Sequence, residues 1–423
     1  DCYWDTETSA QASSAGGTGK TTAEMQQRAT LVNYNFYTLW QIDEGLDYPV
    51  FQDLSQYTQP GAVVLADLAG DGTAGDPYIL TTADELNAMR QDLAAHYQLG
   101  NDIDLSASVV WHGGLGWEPV GTSSASFTGT LDGDGHLISN LTVNRPGTDY
   151  QGFFRGLDGA EVRDLRLVDV NVQGGQYTGG LAGVANNASL IENVHISGEI
   201  NGGNDTGGLV GYLLNGSQAA YTSSAVVVRG WGDVGGLVGY MTSAGTTVYQ
   251  SYSLGVVQGS GNNVGGLVGN NFVESSIIDS YSRAEVQGVS SVGGLVGYLH
   301  ASSSHIRRSY STGAVTGTGS YVGGLLGENN AGGPVVDCYW DTETSAQASS
   351  AGGTGKTTAE MQQRATFVNY NFYTLWQIDE GLDYPVFQDL TQYSQPGAVV
   401  LADLAGNGTA GDPYILTTAD ELN

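Results

Sequence analysis

Apolar and polar residues alternate with a period of two over many short stretches from about residue 150 onward. Valine and tyrosine are prominent in these stretches, and both features are typical of β-strands rather than helices. One recurring strand follows the motif GGLVG, and a second appears as QSYSLGVVQG (250–259), DSYSRAEVQG (279–288) and RSYSTGAVTG (308–317). Segments rich in serine, glycine and asparagine, which favour turns, separate the strands. The pattern predicts an all-β chain built from repeated pairs of short strands.

The glycine motif recurs at a nearly constant spacing. Its second glycines lie 28 or 30 residues apart, at Gly180, Gly208, Gly236, Gly266, Gly294 and Gly324. A fixed period in this range is the signature of a solenoid, and strands that recur once per coil can pair in parallel about 4.8 Å apart. We therefore predict a parallel β-solenoid, or β-helix, of about 28–29-residue coils. The six glycines are predicted to be structural turn positions, which permit either tight corners or close approach of backbones.

Four tyrosines should stack as a ladder along the solenoid, because they lie 29 residues apart: Tyr252, Tyr281, Tyr310 and Tyr339. An outward ladder would offer a stacking surface to polysaccharide, whereas an inward ladder would belong to the core. In its own coil Tyr252 shares strand parity with apolar residues, but in the next coil Tyr281 shares it with Arg283 and Glu285. The pattern favours the outward orientation and leaves both open.

A much longer repeat encloses these coils. Residues 337–423 repeat residues 1–87 with 83 of the 87 positions identical, which defines a period of 336 residues. Residues 1–66 are then predicted to be the C-terminal cap and linker of a preceding unit, and residues 67–345 the solenoid. Residues 346–396 are predicted to be its own C-terminal cap, and residues 397–423 the start of the next unit.

Both ends of the solenoid carry signals for caps. Thr82 with Glu85 is a capping box that predicts a helix near residues 82–96, laid over the open sheet edge of the first coil. A second capping box opens a short helix over TTAEMQQRA (357–365). It is followed by WQID and YPVF within 376–387, which predict a β-hairpin with an aromatic face.

The composition restricts the classes of partner. Only 13% of residues are charged, 64 are glycine, and the formal net charge is −31. Nucleic acid and anionic lipid need basic patches, so neither is predicted as a partner. No apolar run approaches the length of a membrane span, and the acidic, mostly uncharged-polar surface favours an extracellular or cell-surface setting.

Cysteine chemistry is not expected. Cys2 and Cys338 are the same position in the two copies, so one cysteine per period can build neither a disulfide framework nor a zinc cluster. Cys338 also continues a column of small residues that precede the tyrosines, Ser251, Ser280 and Ser309. This column predicts a packed thiol rather than a reactive one.

Few other residues suggest chemistry. Asp67, Asp71 and Asp76 place three carboxylates in ten residues at a predicted joint between units, which makes calcium a candidate ligand there. Asp134 and His136 in LDGDGH would suit acid–base work on a sugar, but a turn between two strands explains the same letters. We therefore predict no catalytic residues and no cofactor other than this candidate calcium.

The repeats GGLVG and SYSxGxVxG, together with DCYWDTETSAQASSAGGTGKTTAEM, resemble the GLUG-motif repeat family of large bacterial surface proteins. FTGTLDGDGHLISNLTV (127–143) and DPYILTTADELNAM (76–89) resemble the opening of the same modules. The resemblance covers nearly the whole period and implies a β-solenoid in a secreted, surface-attached setting. It carries over no catalytic residues, because the motif of that family is structural.

These observations predict a structural protein and not an enzyme. The chain would be one period of an adhesin stalk, a surface filament or a fibre of biofilm matrix, and its partners would be neighbouring units joined end to end. Two other functions stay open. The tyrosine ladder would suit a glycan-binding solenoid, and carboxylates clustered on one face would suit a β-helix polysaccharide lyase or hydrolase. The scarcity of Asp and Glu within 205–335 argues against the second.

Overall fold

The computed structural model of the 423-residue chain describes residues 60–388 continuously. Before them it describes residues 2–9, 11, 13–27, 30–31, 40–41 and 48–51. The predicted start of the next unit (397–423) and the end of the predicted C-terminal cap lie outside the described residues.

Parallel strands stack coil upon coil along the solenoid, and the largest sheet contains 21 strands. Its first row has one strand per coil and ten in all: Tyr78–Leu80, His96–Leu99, Thr130–Asp132, Glu161–Gln173, Leu190–Asn201, Gln218–Ala220, Thr247–Tyr249, Ser276–Ile278, His305–Arg307 and Val335–Val336. After a corner the sheet continues through Ile103–Asp104, Leu137–Ser139, Thr142–Asn144, Ser223–Gly230, Tyr252–Gly259, Tyr281–Ser282, Glu285–Gly288, Tyr310–Ser311, Val315–Gly317, Tyr339–Asp341 and Thr354–Lys356.

Two smaller sheets close the coils. The seven-stranded sheet contains Phe154–Asp158, Ala182–Asn186, Val210–Leu214, Val238–Thr242, Val268–Asn271, Val296–Leu299 and Leu326–Asn329. The five-stranded sheet contains Thr206–Gly207, Val234–Gly235, Asn262–Gly265, Ser290–Gly293 and Val322–Gly323. The remaining strands form short pairs outside the solenoid: Tyr3–Asp5, Thr18–Lys20, Trp40–Gln41, Val50–Phe51, Trp376–Gln377 and Val386–Phe387.

The strand register gives the coil length directly. Leu190 pairs with Gln218, which in turn pairs with Thr247, so successive coils are 28 and 29 residues long. Thr247 pairs with Ser276, and Ser276 pairs with His305, so the next two coils are each 29 residues long. The predicted all-β parallel solenoid with coils of this length is therefore confirmed.

Residues in the left-handed region make the corners between rows. At the corner inside the largest sheet, φ lies between 45° and 56° at Asp164, Asn193, Tyr221, Gln250, Asp279, Arg308 and Asp337. At the second position, which lies at or near the start of the five-stranded sheet and its extension to earlier coils, φ lies between 51° and 63° at Tyr150, Tyr177, Asp205, Asp233, Asn263, Ser291 and Tyr321. Asparagine and aspartate tolerate this region better than other non-glycine residues. Two such positions recur in each coil, and asparagine or aspartate occupies half of them.

The repeat glycines differ from these corner residues in their structural role. A Cβ atom on Gly236 would lie 2.0 Å from the carbonyl oxygen of Gly266, and one on Gly208 would lie 2.1 Å from that of Gly236. All six glycines have φ outside the left-handed region. Of the two predicted reasons for these glycines, the structure supports close approach of backbones, because non-glycine residues make the corners. The motif leucines that follow are fully buried in the core: Leu181, Leu209, Leu237, Leu267, Leu295 and Leu325.

The predicted N-terminal capping helix is present but shorter than expected. It spans Ala83–Ala88, has the predicted capping box, and continues as the 3-10 turn Met89–Gln91. It does not reach residue 96, because Asp92 is extended and the strand His96–Leu99 begins there. The other helical segments of the described residues are the short α-helices Thr22–Met25, Trp111–Gly114 and Thr358–Met361 and the 3-10 turns Leu65–Asp67, Ser106–Val110 and Arg364–Thr366.

The chain after the last coil covers two surfaces. Residues 345–351 run across the final coil, where the N–H of Ala351 donates to the carbonyl of Leu326 at 3.0 Å. Residues 357–388 then fold back along the flank of the solenoid, and we call them the side cap. They contain the predicted hairpin, in which Trp376–Gln377 pairs antiparallel with Val386–Phe387. The aromatic hairpin therefore packs on the flank of the solenoid, whereas residues 345–351 and the strand Thr354–Lys356 cover its last coil.

The N-terminal copy of this region has the same local structure. Tyr3–Asp5 pairs in parallel with Thr18–Lys20, as Tyr339–Asp341 pairs with Thr354–Lys356. The burial differs between the copies, because Cys2 is exposed whereas Cys338 is buried against the coil beneath it.

Candidate functional site

The tyrosine ladder lies on the outer face of the largest sheet. Tyr252, Tyr281, Tyr310 and Tyr339 pair in register from coil to coil. The ring of Tyr252 stacks on that of Tyr281 with centroids 4.9 Å apart and planes 1° apart, and Tyr281 stacks on Tyr310 at 5.1 Å and 2°. Parallel strands impose this stacking, because equivalent side chains repeat once per coil. The rings belong to a hydrophobic cluster separate from the main core.

The side cap covers this ladder. Tyr310 is fully buried, and Tyr281 and Tyr339 are only 4% and 7% exposed. The ring of Trp376 lies 6.0 Å from those of both Tyr281 and Tyr310. Phe367 presents its edge to Tyr310 at 5.8 Å and to Tyr339 at 5.4 Å. The ladder therefore serves as the docking surface for the C-terminal segment.

Polar contacts fix the position of the side cap on the ladder. The hydroxyl of Tyr310 donates a hydrogen bond to the carbonyl of Pro385, and burial raises the pKa of this tyrosine well above its usual range, so the hydroxyl keeps its proton. The guanidinium of Arg283 lies 3.2 Å from the carboxylate of Asp383 and donates to the carbonyl of Tyr384, also at 3.2 Å. These contacts join residues about 75 to 101 positions apart in the sequence.

The side cap affects the prediction that polysaccharide binds to the tyrosine ladder. Tyr252 alone among the four tyrosines is half-buried rather than buried. The rings of Tyr281, Tyr310 and Tyr339 have no open face while the side cap is docked. Polysaccharide binding by the ladder stays a prediction, and it requires that the side cap first leave the flank.

The small-residue column next to the ladder is a chain of hydrogen bonds. The N–H of Ser251 donates to the hydroxyl of Ser280 at 3.2 Å, and the N–H of Ser280 donates to the hydroxyl of Ser309 at 3.1 Å. Cys338 ends this column, and its thiol donates to the carbonyl of Val336 at 3.2 Å. Burial raises the pKa of Cys338 to about 12. A neutral, enclosed thiol of this kind is a packing group rather than a nucleophile.

A second series of aromatic rings runs along the outer surface of the seven-stranded sheet, and we call it the outer aromatic row. Its half-buried members and their centroid separations are Tyr150 to Tyr177 at 4.7 Å, Tyr177 to Tyr212 at 5.7 Å, Tyr212 to Tyr240 at 5.0 Å, Tyr240 to Phe272 at 5.6 Å and Phe272 to His300 at 4.1 Å. This row was not predicted from the sequence. The tyrosine that directly follows GGLVG at 212, 240 and 298 is the signal that points to it.

Two corner aspartates lie beside the outer aromatic row. The carboxylate of Asp233 accepts hydrogen bonds from the side-chain amides of Asn263 at 2.7 Å and Asn270 at 3.0 Å. Burial, together with the charge of Asp233, raises the pKa of Asp205 to about 7, and burial raises the pKa of Asp233 as well. The pair therefore holds a proton up to near-neutral pH, because two neighbouring carboxylates cannot both ionise cheaply.

The three aspartates predicted to bind calcium are exposed and do not converge. Asp67 ends the 3-10 turn Leu65–Asp67, and the carboxylate of Asp71 accepts from the N–H of Thr73 at 3.0 Å. Asp76 contributes its backbone carbonyl, which accepts from the N–H of Asp71 at 2.9 Å. Within the described part of the chain, no group of three or more His, Cys, Asp or Glu side chains is arranged to hold a metal ion. Calcium binding stays a prediction.

The residues of LDGDGH engage separate partners. Asp132 pairs with Arg163 at 2.8 Å, and His136 lies 3.2 Å from the carboxylate of Asp102. Asp134 has φ of 48° and occupies the turn between two strands. The turn explanation of this motif agrees with the structure.

Comparison with known proteins places this fold among very large polypeptides. Residues 79–198 match the family described as the M26 IgA1-specific metallo-endopeptidase N-terminal region. Halomucin of Haloquadratum walsbyi is 35% identical over 354 residues, which is 78% of this chain but 3% of halomucin. A putative Gly-rich membrane protein of Evansella cellulosilytica is 38% identical over 134 residues, 30% of this chain and 15% of that protein. The chain thus spans a small part of both relatives.

Among solved structures, the crystal structure of a putative immunoglobulin A1 protease from Bacteroides ovatus is similar to this chain. The two align with a TM-score of 0.55 at 24% identity, over 75% of this chain and 94% of the other. At this identity the similarity shows a shared solenoid fold.

These findings bear on three of the predictions. The prediction that the chain is not an enzyme is contradicted, since the family match relates the chain to metallo-endopeptidases. The resemblance to the GLUG-motif family stays a prediction, while the coarser relation to large surface proteins is supported. The names of the relatives likewise indicate secreted or surface proteins. No helix of the described residues is both long and apolar enough to cross a membrane.

Proposed function

We propose that this chain is one 336-residue period of a long extracellular tandem-repeat protein, in which each solenoid is a stiff segment of an adhesin stalk, a surface filament or a matrix fibre. The observation that carries the proposal is the repeated cap. The N-terminal copy forms the same strand pair as the C-terminal copy. The copy therefore has the local structure of a cap.

The architecture suits a load-bearing segment. Ten strands in one row are joined by coil-to-coil hydrogen bonds parallel to the long axis. The side cap contacts Tyr252, Tyr281, Tyr310 and Tyr339, which belong to four successive coils. Bending the solenoid at these coils would separate stacked rings from the cap that covers them. The side cap should therefore resist bending of these four coils.

The surface suits a fibre that stays in solution. The formal net charge of −31 repels neighbouring fibres at low ionic strength. At the first strand, the N–H of Ile79 donates to the carbonyl of Ala69 at 2.9 Å, and residues 345–351 cover the last coil, which protects these sheet edges from lateral pairing. Partners of such a unit are the preceding and following units.

Particle dimensions test this proposal. One, two and three consecutive periods would be purified and imaged by negative-stain electron microscopy, with the maximum dimension also taken from small-angle X-ray scattering. We expect the maximum dimension to grow by a nearly equal increment for each added period. A maximum dimension that stays nearly constant as periods are added would overturn the proposal, since it would show that units fold onto one another.

The family match favours a second candidate function, in which the solenoid is a region of a large secreted peptidase. The match covers residues 79–198, which hold the N-terminal helix and the first coils. The test is incubation of the complete natural polypeptide with immunoglobulin A1, with and without a metal chelator. Discrete fragments that disappear with the chelator support this candidate, and intact immunoglobulin under both conditions excludes that substrate.

A further inference from the structure

A groove of about 560 Å³ follows the outer surface of the solenoid on residues that neither the tyrosine ladder nor the outer aromatic row uses. Its side-chain lining comes from Arg229, Trp231, Gln258, Gln287 and Thr316. Between them the floor is glycine backbone, which recurs directly after the polar residue in each coil. The groove therefore repeats its chemistry along the solenoid axis.

The polar wall of this groove is part of a longer column. Residues with hydrogen-bonding side chains pair in register over seven coils: Asn144, Gln173, Asn201, Arg229, Gln258, Gln287 and Thr316. Five of these seven side chains are amides, which carry both donors and an acceptor. Stacked strands place such groups about 4.8 Å apart. A ligand with repeated hydroxyl groups would meet a hydrogen-bonding side chain at every coil of this column.

Hydrogen bonds hold the wall in one arrangement. The Nε of Arg229 donates to the side-chain carbonyl of Gln258 at 3.0 Å, and the amide of Gln258 donates to that of Gln287 at 3.2 Å. Arg229 also pairs with Glu199, which neutralises its charge. The amide of Gln287 in turn donates to the carboxylate of Glu285 at 2.8 Å. Each side chain of the wall is thus oriented by its neighbours, which lowers the entropic cost of binding.

Trp231 also lines the groove. It is 62% exposed, which is a large apolar exposure for an indole. The backbone N–H of Trp231 donates to the carbonyl of Gly203 at 2.9 Å, so the main chain beneath the ring is fixed. Gly261 leaves room beside the ring. A Cβ atom at residue 261 would lie 3.7 Å from the indole of Trp231 and 2.5 Å from the backbone carbonyl oxygen of Trp231. The exposed indole therefore lies at the groove on a fixed main chain.

The chemistry of the groove excludes two classes of ligand. An extended peptide would need free backbone groups for strand addition, but the N–H of Ser260 donates to Gly230 and that of Val289 donates to Gly261. A polyanion would be repelled, because the one guanidinium in the groove is paired and the chain carries a net charge of −31.

We infer that the Trp231 groove binds an uncharged polysaccharide. The apolar face of a pyranose ring would stack on the indole, and hydroxyl groups of successive sugars would bond to Gln258 and Gln287. This inference goes beyond the proposed structural role and does not depend on it, because a rod needs no ligand. It also differs from glycan binding at the covered tyrosine ladder, since it involves residues of another surface.

Affinity electrophoresis of the full 423-residue chain tests the inference, with dextran, laminarin, yeast mannan or xylan in the native gel and alginate as the polyanion. We expect retardation by at least one of the four neutral polymers and none by alginate. Trp231→Ala should weaken that retardation at least tenfold, and the double variant Gln258→Ala/Gln287→Ala should weaken it to a similar degree. The matched control is Tyr373→Ala, which removes an aromatic ring that is 87% exposed on the side cap.

Three results would each overturn the inference: no retardation by any of the four neutral polymers, retardation by alginate alone, or retardation that Trp231→Ala leaves unchanged. Trp231 is exposed, so its replacement should preserve the fold, and the melting temperature of each variant checks this. If the double variant loses stability, Trp231→Ala and Tyr373→Ala still decide the outcome.

Discussion

The hydroxyl of Tyr310 donates a hydrogen bond to the carbonyl of Pro385, 75 residues further along the chain. Tyr310 belongs to the stacked ladder of the solenoid, and Pro385 belongs to the hairpin of the side cap. The coils of the solenoid pair with their neighbours, and this contact adds a connection between segments that are far apart in the sequence. The side cap should accordingly be the part of the unit that responds most sharply to changes in the ladder.

Removal of Trp376 should release the side cap. The residue is fully buried, and its ring lies 4.6 Å from Phe387 and 5.1 Å from Tyr370. Replacement of a buried aromatic residue by alanine typically costs about 3–5 kcal/mol. We expect Trp376→Ala to expose residues 357–388 to limited proteolysis, while the solenoid stays intact. Tyr373→Ala is the matched control, and equal protease resistance in the two variants would contradict the docking described here.

The repeat glycines should tolerate no side chain. In Gly236→Ala the new Cβ would meet the carbonyl oxygen of Gly266 at 2.0 Å, whereas a Cβ on Gly75 meets nothing within 4 Å. Overpacking of this kind costs about 1–3 kcal/mol or more. Thermal unfolding should show a clear loss of stability for Gly236→Ala and almost none for Gly75→Ala. Equal melting temperatures for the two variants would show that the coils can separate at little cost.

The two cysteines should differ in reactivity although their sequence surroundings are the same. Cys2 is exposed, whereas Cys338 is buried and its pKa is raised to about 12. Because the thiolate is the reactive form, native protein should take up one equivalent of iodoacetamide quickly, and unfolded protein should take up two. Peptide mapping should locate the rapid label at Cys2. Rapid labelling of Cys338 in the native state would contradict its place in the column.

The aspartate pair should make stability depend on pH. Burial raises the pKa of Asp205 from 3.8 to about 7, so the folded state binds a proton more tightly than the unfolded state. The free energy of unfolding should therefore fall as pH rises from about 4 to about 7, by at most about 1.4 kcal/mol per pH unit for one proton.

Comparison with Asp205→Asn isolates this effect from other carboxyl groups. Hydrogen bonds lower the pKa of Asp102, for example, so the stability that Asp102 contributes to the protein is lost as pH falls. Urea unfolding of both proteins between pH 4 and pH 8 should show that the difference between them changes across this window and is constant above it. A difference that does not change with pH would mean that Asp205 titrates normally.

The coil register and local elements such as the helix Ala83–Ala88 could be predicted from the sequence, whereas contacts between a single segment and the coils could not. The spacing of Tyr252, Tyr281 and Tyr310 predicts the register, because parallel stacking converts sequence period into spatial contact. The side cap on that ladder depends on contacts between a periodic and a non-periodic segment, and no local pattern reports them. Trp231 likewise appears in one coil only, so its groove becomes visible only when the neighbouring coils are in place.

The corners show a similar limit. Non-glycine residues with positive φ, such as Asp205 and Asp233, hold the bends between sheets. Their residue types suggested turns, but their close approach and shared proton depend on stacking of the coils. The length of the N-terminal helix was overestimated for a related reason. The apolar spacing through Leu93 continues the helical pattern, but residue 92 must already be extended to start the next coil.

The mass of the natural polypeptide under denaturing and reducing conditions decides whether the 336-residue period belongs to a covalent array. The proposed tandem protein predicts a mass several times the 44.1 kDa of this chain, with peptides of the repeated cap recovered in multiple copies per polypeptide. A mass near 44.1 kDa would contradict it. The repeated cap would then have to act between separate subunits rather than between units of one chain.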